Sequence, residues 1–363
     1  MYLKVLSSNG ASKKFTAMAC AEVCLRPAVV ATLAVDGDSQ EVSPLWKSRD
    51  FLVPLRYPDV YAFRESQENL HWHAKDINLS EDARDWREKL NDNERYALLQ
   101  TLGFFYRAEP IVGDNAARFV NSFEMPEAKA VFRSFANMEA THEQVYGQIL
   151  EAILPSRREF EAHANGILRS TSVTAMRNFA ARARSMDDTD PRRLLYMTVV
   201  EGLLFSGNFV LIFWLREMNA MKATVKANEY IARDEGVHRD ACIHLFRNYV
   251  RPFAGVTTEE VYEIVDQGVR AAQDFMSHSI RAPLRKGLTA EKTHAFIRYI
   301  ADHMLKSLGY PPKYNIPRNP IPFMESISLE GKTNIHEGHL SEYRARAELG
   351  ESQSFGGDDE FDL

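Results

Sequence analysis

Apolar residues return every three or four positions through 92–123, 127–153, 192–218, 222–250, 258–278 and 290–308, with a weaker repeat at 170–185. That period marks helices with one buried face, and no alternating strand pattern of any length competes with it. The pattern predicts an all-α protein built as a bundle of long helices. Start and stop signals agree. Asn91 or Asp92 precedes the first helix, Thr257 and Glu260 form a capping box, Thr289 is a cap with Glu291 in its first turn, and Gly309 before "YPPK" ends the last helix. From Trp46 to about Glu68, interrupted by Pro54 and Pro58, the chain is expected to be extended or irregular. "VDGDSQEVSP" at 35–44 reads as a linker, and "ESQSFGGDDEFDL" at the end is too small and acidic to bury much apolar area. The expected division is a poorly ordered N-terminal extension (1–45), a helical domain (46–325) and a flexible tail (326–363).

With 363 residues, 45% of them hydrophobic, the chain can bury a large core and reads as a soluble globular protein. A net charge of -6 with no long basic run argues against a nucleic-acid partner. Three cysteines, Cys20, Cys24 and Cys242, make no disulfide framework, and a reducing, cytoplasmic setting fits them better. The Cys20–Cys24 spacing is wider than a two-residue-gap redox or metal motif. The only apolar run near the N-terminus, 28–35, is too short to span a membrane and badly placed for a secretory signal, while the scarcity of acids there leaves a transit peptide open.

"LLYMTVVEGLLFSGNFVLIFW", residues 194–214, is near membrane-spanning length but interrupted by Ser206, Gly207 and Asn208. A lone span in a soluble bundle is hard to justify, so a central buried helix is expected. Its one ionisable residue, Glu201, then needs a partner, a proton or a cation. Two other helices offer the same device: Glu139 and His142 in "EATH", and Glu235 and His238 in "EGVH", each place carboxylate and imidazole on one helical face. Two Glu-x-x-His pairs with a single Glu from each of two further helices are the inward ligand set of a dinuclear carboxylate site in a ferritin-like bundle. On the helix at 92–123, Glu109 lies in the more apolar context and Asp114 in the less, so Glu109 is the fourth carboxylate, beside a helix-disturbing Pro110. Further copies of the motif, Glu68–His71 and Glu291–His294, sit in polar or helix-opening context and read as surface residues. Four carboxylates and two neutral imidazoles balance two divalent ions.

Together, "HWHAKDINLSED", "MEATHEQVYGQIL", "VVEGLLFSGNF", "YIARDEGVHRD" and "ISLEGKTNIHEGHLSEY" resemble the small, radical-generating subunit of class I ribonucleotide reductase, from about Ser48 to Tyr343. The resemblance implies that Glu109, Glu139, His142, Glu201, Glu235 and His238 bind the metals, that Tyr146 is oxidised to a radical, and that Phe205, Phe209 and Ile231 shield it. It implies that Trp72 and Asp234, with His142, begin an electron-transfer route. Tyr343 would relay the radical to the large catalytic subunit, where the tail through Leu363 docks, and the small subunit would be a symmetric homodimer. The large subunit reduces ribonucleotides to deoxyribonucleotides. Iron is the metal the resemblance implies first. Glu109, where family members usually carry Asp, resembles a minority using manganese alone or with iron. A stand-alone ferritin-like oxidase or storage protein is the competing reading, and it would need neither Trp72, Asp234 and Tyr343 nor the tail; a non-catalytic partner subunit would need no full ligand set.

Overall fold

The computed structural model describes residues 42–325, and among them there are helices and no β-strand. Eleven α-helices follow in order: α1 (Pro58–Asn69), α2 (Asp82–Glu88), α3 (Asp92–Ser122), α4 (Pro126–Ile153), α5 (Arg157–Gly166), α6 (Thr171–Ser185), α7 (Arg192–Val199), α8 (Ser206–Glu217), α9 (Lys222–Leu245), α10 (Thr258–Ser279) and α11 (Ala290–Leu308). A π-helical segment, Val200–Phe205, joins α7 to α8, and a second, Phe246–Val250, extends α9.

The long helices lie where the apolar period puts them, and their caps work as expected. The Asn91 side chain accepts from Glu94 N while Glu94 reaches back to Asn91 N, and Thr257 and Glu260 repeat the exchange on α10. Thr289 caps α11, and Gly309 closes it in the left-handed region at φ 87°. Pro110 does not interrupt α3, which runs through it from Asp92 to Ser122.

One segment differs from expectation. Residues 58–69 form helix α1 where an irregular chain was expected, because Pro58 occupies the first helical turn. There the missing N–H costs nothing and the fixed φ favours the helix, so the same residue that breaks an interior opens an end. Short helices α2 and α5 likewise escaped the periodic pattern.

The apolar helix Arg192–Glu217 is buried over 94% of its most apolar stretch, which places it in the core of the bundle. It packs against α9, α10 and α11, while α3 and α4 form the most extensive helix pair. Gly113 on α3 lies close against α4: a Cβ there would stand 3.3 Å from Glu139 Cβ. Any side chain at 113 would press on a residue of the site.

Candidate metal centre

Four helical segments deliver the six expected ligands to one place in the core. α3 supplies Glu109, α4 supplies Glu139 and His142, the π-helical segment supplies Glu201, and α9 supplies Glu235 and His238. All six are at most 2% exposed. Glu201 lies in a widened turn, a local irregularity characteristic of functional sites in helices.

The six divide into two groups of four. Glu109, Glu139, His142 and Glu235 bring ligand atoms within 4.8 Å of one another, as do Glu139, Glu201, Glu235 and His238. Glu139 and Glu235 belong to both. His142 Nδ1 lies 3.2 Å from Glu139 Oε2 and 3.1 Å from Glu235 Oε1. His238 Nδ1 lies 2.9 Å from Glu139 Oε1 and 3.5 Å from Glu235 Oε2. Each shared carboxylate therefore turns one oxygen to each imidazole, the disposition of a bridge between two ions. Glu109 Oε2, 3.9 Å from His142 Nδ1, closes one end, and Glu201 Oε1, 4.0 Å from His238 Nδ1, closes the other.

This donor set fits metal better than it fits protein alone. Among the described residues, both carboxylate oxygens of Glu109 and Glu201 and the Nε2 of His238 lack a hydrogen-bond partner, which buried polar atoms rarely tolerate. Burial pushes the Glu109 and Glu201 carboxyls well above their usual range, and the charges of Glu139 and Glu235 push the same way. Burial opposes a charge on His238, but Glu139 and Glu235 hold its proton and raise it to about 9. Without metal, the cluster stores protons in place of cations. Two divalent ions would replace them with matching charge.

Outside the cluster, His142 Nε2 donates to Asp234 Oδ2 at 3.1 Å. Trp72 Nε1 donates to the same oxygen at 2.8 Å, and Gln67 Nε2 donates to Asp234 Oδ1 at 2.8 Å. The Trp72 ring lies nearly parallel to that of His142, centroids 6.2 Å apart. Tyr146 is fully buried, and its hydroxyl donates to Asn228 Oδ1 at 2.7 Å. Phe105 stacks on it at 4.7 Å and 3°, and Phe205 and Phe209 pack against Phe105 at 5.3 and 5.1 Å. Ile231 is buried on α9, three residues beyond Asn228. Tyr343 lies outside the described residues.

The family described as "Ribonucleotide reductase, small chain" matches residues 49–320. The chain belongs to this family. It is 34% identical over 299 residues to the ribonucleoside-diphosphate reductase small chain of Schizosaccharomyces pombe, covering 82% of this chain and 75% of that one. It is 31% identical to the small subunit of Dictyostelium discoideum, covering 82% and 87%. Among solved structures, the ribonucleotide reductase Rnr4 homodimer of Saccharomyces cerevisiae aligns with a TM-score of 0.69 at 24% identity, over 82% of this chain and 90% of that one. The dimanganese(II)-NrdF of Streptococcus sanguinis aligns with 0.64 at 16% identity, over 78% and 99%. These structures share the ferritin-like fold. The protein is thus a small subunit of ribonucleoside-diphosphate reductase, an oxidoreductase, and not a stand-alone ferritin-like oxidase.

Three residues around this small chain's site escaped the sequence reading. Gln67 was lost with α1, since no helix meant no inward face. Phe105 lies among apolar neighbours in "LGFFY", with nothing in the local pattern to set it apart from core. Asn228 left a usable signal: it stands seven residues before Glu235, two turns along the same face of α9. Glu291 and Glu68 are exposed, as their polar surroundings suggested.

Proposed function

We propose that this small subunit is of class I and that Glu109, Glu139, His142, Glu201, Glu235 and His238 hold its two metal ions. The two overlapping groups of buried ligands, joined through Glu139 and Glu235, carry this reading. When bound, the dinuclear centre supplies oxidising power drawn from dioxygen. The residues around it do the rest. Tyr146 is the oxidisable phenol, and Phe105, Phe205, Phe209 and Ile231 keep water and reductants away from it. Asp234 accepts from both His142 and Trp72, fixing the imidazole's tautomer and joining the cluster to an indole through hydrogen bonds.

From Trp72 the oxidising equivalent is passed toward the large catalytic subunit, with Tyr343 as the last relay and residues 326–363 as the docking tail. Residues 1–45 are an extension outside this machinery. The partners are the large subunit and a second copy of the chain, a reading supported by the homodimer reported for the Saccharomyces neighbour. Nucleic acid and membrane are not among them, and the site of action is the cytoplasm. Iron is the first choice of metal. The resemblance of Glu109 to the minority that uses manganese makes a manganese–iron or dimanganese pair the alternative; Glu also reaches farther than Asp and can bind through one oxygen or two, which bears on its binding mode.

Metal analysis with electron paramagnetic resonance on aerobically reconstituted protein tests the reading. It should give two ions per chain and a tyrosyl signal that vanishes in Tyr146→Phe. Unchanged reductase activity in that variant would move the stored oxidant to the metals, and an unchanged tyrosyl signal would move the radical to another tyrosine. Deleting the last twenty or so residues, roughly the length of a peptide docking segment, should abolish reductase activity and leave metal content intact.

A further inference from the structure

The Tyr146 hydroxyl has a single hydrogen-bond partner among the described residues, and that partner's orientation is fixed. Asn228 Nδ2 donates to the Thr224 carbonyl at 2.8 Å, which can only accept. The Asn228 oxygen therefore faces Tyr146, and the phenol must donate into it. Thr224 is held in turn: its N–H and hydroxyl both reach Asp82 Oδ2 at 2.7 Å. The acceptor is thus anchored to the first turn of α9 and to α2, both fully buried at these positions.

We propose that Asn228 is a positioning residue for Tyr146, a latch that holds the phenol proton on the α9 side and must release it before Tyr146 is oxidised. The inference rests on the reading of Tyr146 as the oxidisable phenol. In that step Tyr146 gives one electron to the oxidised metal pair, its O–H bond breaks, and a base takes the proton. Asn228 is not that base, because a carboxamide oxygen accepts a hydrogen bond but binds a proton only in strong acid, and its nitrogen has no lone pair to pass one on. The proton must therefore go to another base, and the carboxylates of the cluster are the ones the site offers. The hydroxyl has to turn out of its bond to Asn228 first. Asn228 therefore delays Tyr146 oxidation while fixing the ring.

Two substitutions separate these roles. Asn228→Leu removes the acceptor, whereas Asn228→Asp keeps an acceptor, gives up the donation to Thr224 and adds a group able to take the proton. In metal-free protein labelled with 13Cζ-tyrosine, the Tyr146 resonance, assigned by its loss in Tyr146→Phe, should move in Asn228→Leu and stay near its place in Asn228→Asp. In metal-loaded protein mixed with dioxygen and freeze-quenched, the tyrosyl signal should form several-fold faster in both variants. An unmoved resonance in Asn228→Leu, or equal rates in wild type and both variants, overturns the latch. If Asn228→Leu fails to fold, the rate in Asn228→Asp decides. A Tyr146-dependent signal indifferent to Asn228 removes the latch alone. No such signal in any of the three proteins removes the latch together with the redox role of Tyr146.

Discussion

His142 and His238 come from the same motif, stand at the same spacing after a shared carboxylate and are equally buried, yet the two sides of the centre are built differently. Behind His142, Nε2 meets Asp234, which also holds Trp72 and Gln67. Behind His238, Nε2 has no partner among the described residues, and the ring packs on Phe135 with centroids 4.0 Å apart. One imidazole is wired into a polar chain and the other is insulated by an aromatic wall. The motif places a ligand; what stands behind the ligand decides whether charge can move through it. An imidazole with a carboxylate behind it has a fixed tautomer and a continuation, whereas one against phenyl carbon has neither.

The largest effect tests what the two sides share. Glu235 takes part in both groups of four, so Glu235→Ala should drop metal content from two ions to fewer than one per chain. His238→Ala should spare much of the His142 side. Metal analysis after gel filtration checks both, and equal losses would show that the two sides do not fill separately.

Next comes the asymmetry itself. Asp234→Asn leaves the ligands in place but weakens the link to Trp72 and the hold on His142. It should abolish most reductase activity while lowering metal affinity by roughly 10–100-fold, the usual cost of losing a partner behind a ligating histidine. Phe135→Leu, the counterpart behind His238, should cost about 1 kcal/mol of stability through imperfect packing and leave activity largely intact. Turnover with excess large subunit, set beside thermal unfolding, compares the two. Equal loss of turnover would erase the distinction between wired and insulated halves.

Much of this was legible in the sequence, for a physical reason. A four-helix metal site needs long amphipathic helices with ligands on their inner faces, and both features are periodic, so Glu109, Glu139, His142, Glu201, Glu235 and His238 stood out against apolar neighbours. The same argument separated Glu291–His294, where His294 meets Ser277 and the Gln273 carbonyl on a half-buried face. The difference between the halves was hidden because it depends on contacts between distant segments. Gln67 and Asp234 are 167 positions apart, and Tyr146 and Asn228 are 82 apart. No local pattern encodes either pair. The π-helical turn at Glu201 was also out of reach, since one extra residue in a turn leaves an all-apolar stretch looking the same.

A smaller effect, felt on both sides, comes from pH. Metal binds neutral imidazole and ionised carboxylate, so protons on His142, His238, Glu109 and Glu201 must leave first. Affinity should rise with pH through about 9, where His238 loses its proton, and for as long as His142, also held protonated by its carboxylate neighbours, keeps its own, with proton release seen by calorimetry in buffers of different ionisation enthalpy. The metal-free fold should respond in the opposite sense. Glu109 and Glu201 are raised by burial and His238 is raised by its carboxylate partners, so their contributions are fully present at low pH and are lost as pH rises toward 9. Glu139 is lowered despite burial, through His238 and His142, and its contribution fades as pH falls below the ordinary carboxylate range. The metal-free melting temperature should therefore peak in mildly acidic solution and fall toward pH 9, while the metal-loaded protein stays level or gains over that interval. Parallel profiles for the two forms would mean that the ligands do not carry these protons.

The smallest effect is the most selective. Among the described residues Gln67 makes no hydrogen bond to a ligand or to Trp72; its amide Nε2 donates to Asp234 Oδ1. Gln67→Leu would leave that oxygen unpaired in a buried site, a loss of about 1–3 kcal/mol in the hold on the carboxylate. Asp234 would keep its bonds to His142 and Trp72 through Oδ2, so metal content should not change. With one oxygen free, however, the carboxylate can swing and loosen the Trp72 contact. Turnover should then fall a few-fold, and the indole N–H of Trp72 should exchange faster with deuterium. Because α1 carries Gln67 into the core, this variant asks whether the outer helix helps align the wired half or merely covers it. Unchanged exchange at Trp72 with reduced turnover would assign Gln67 a role outside the Asp234 hydrogen bonds.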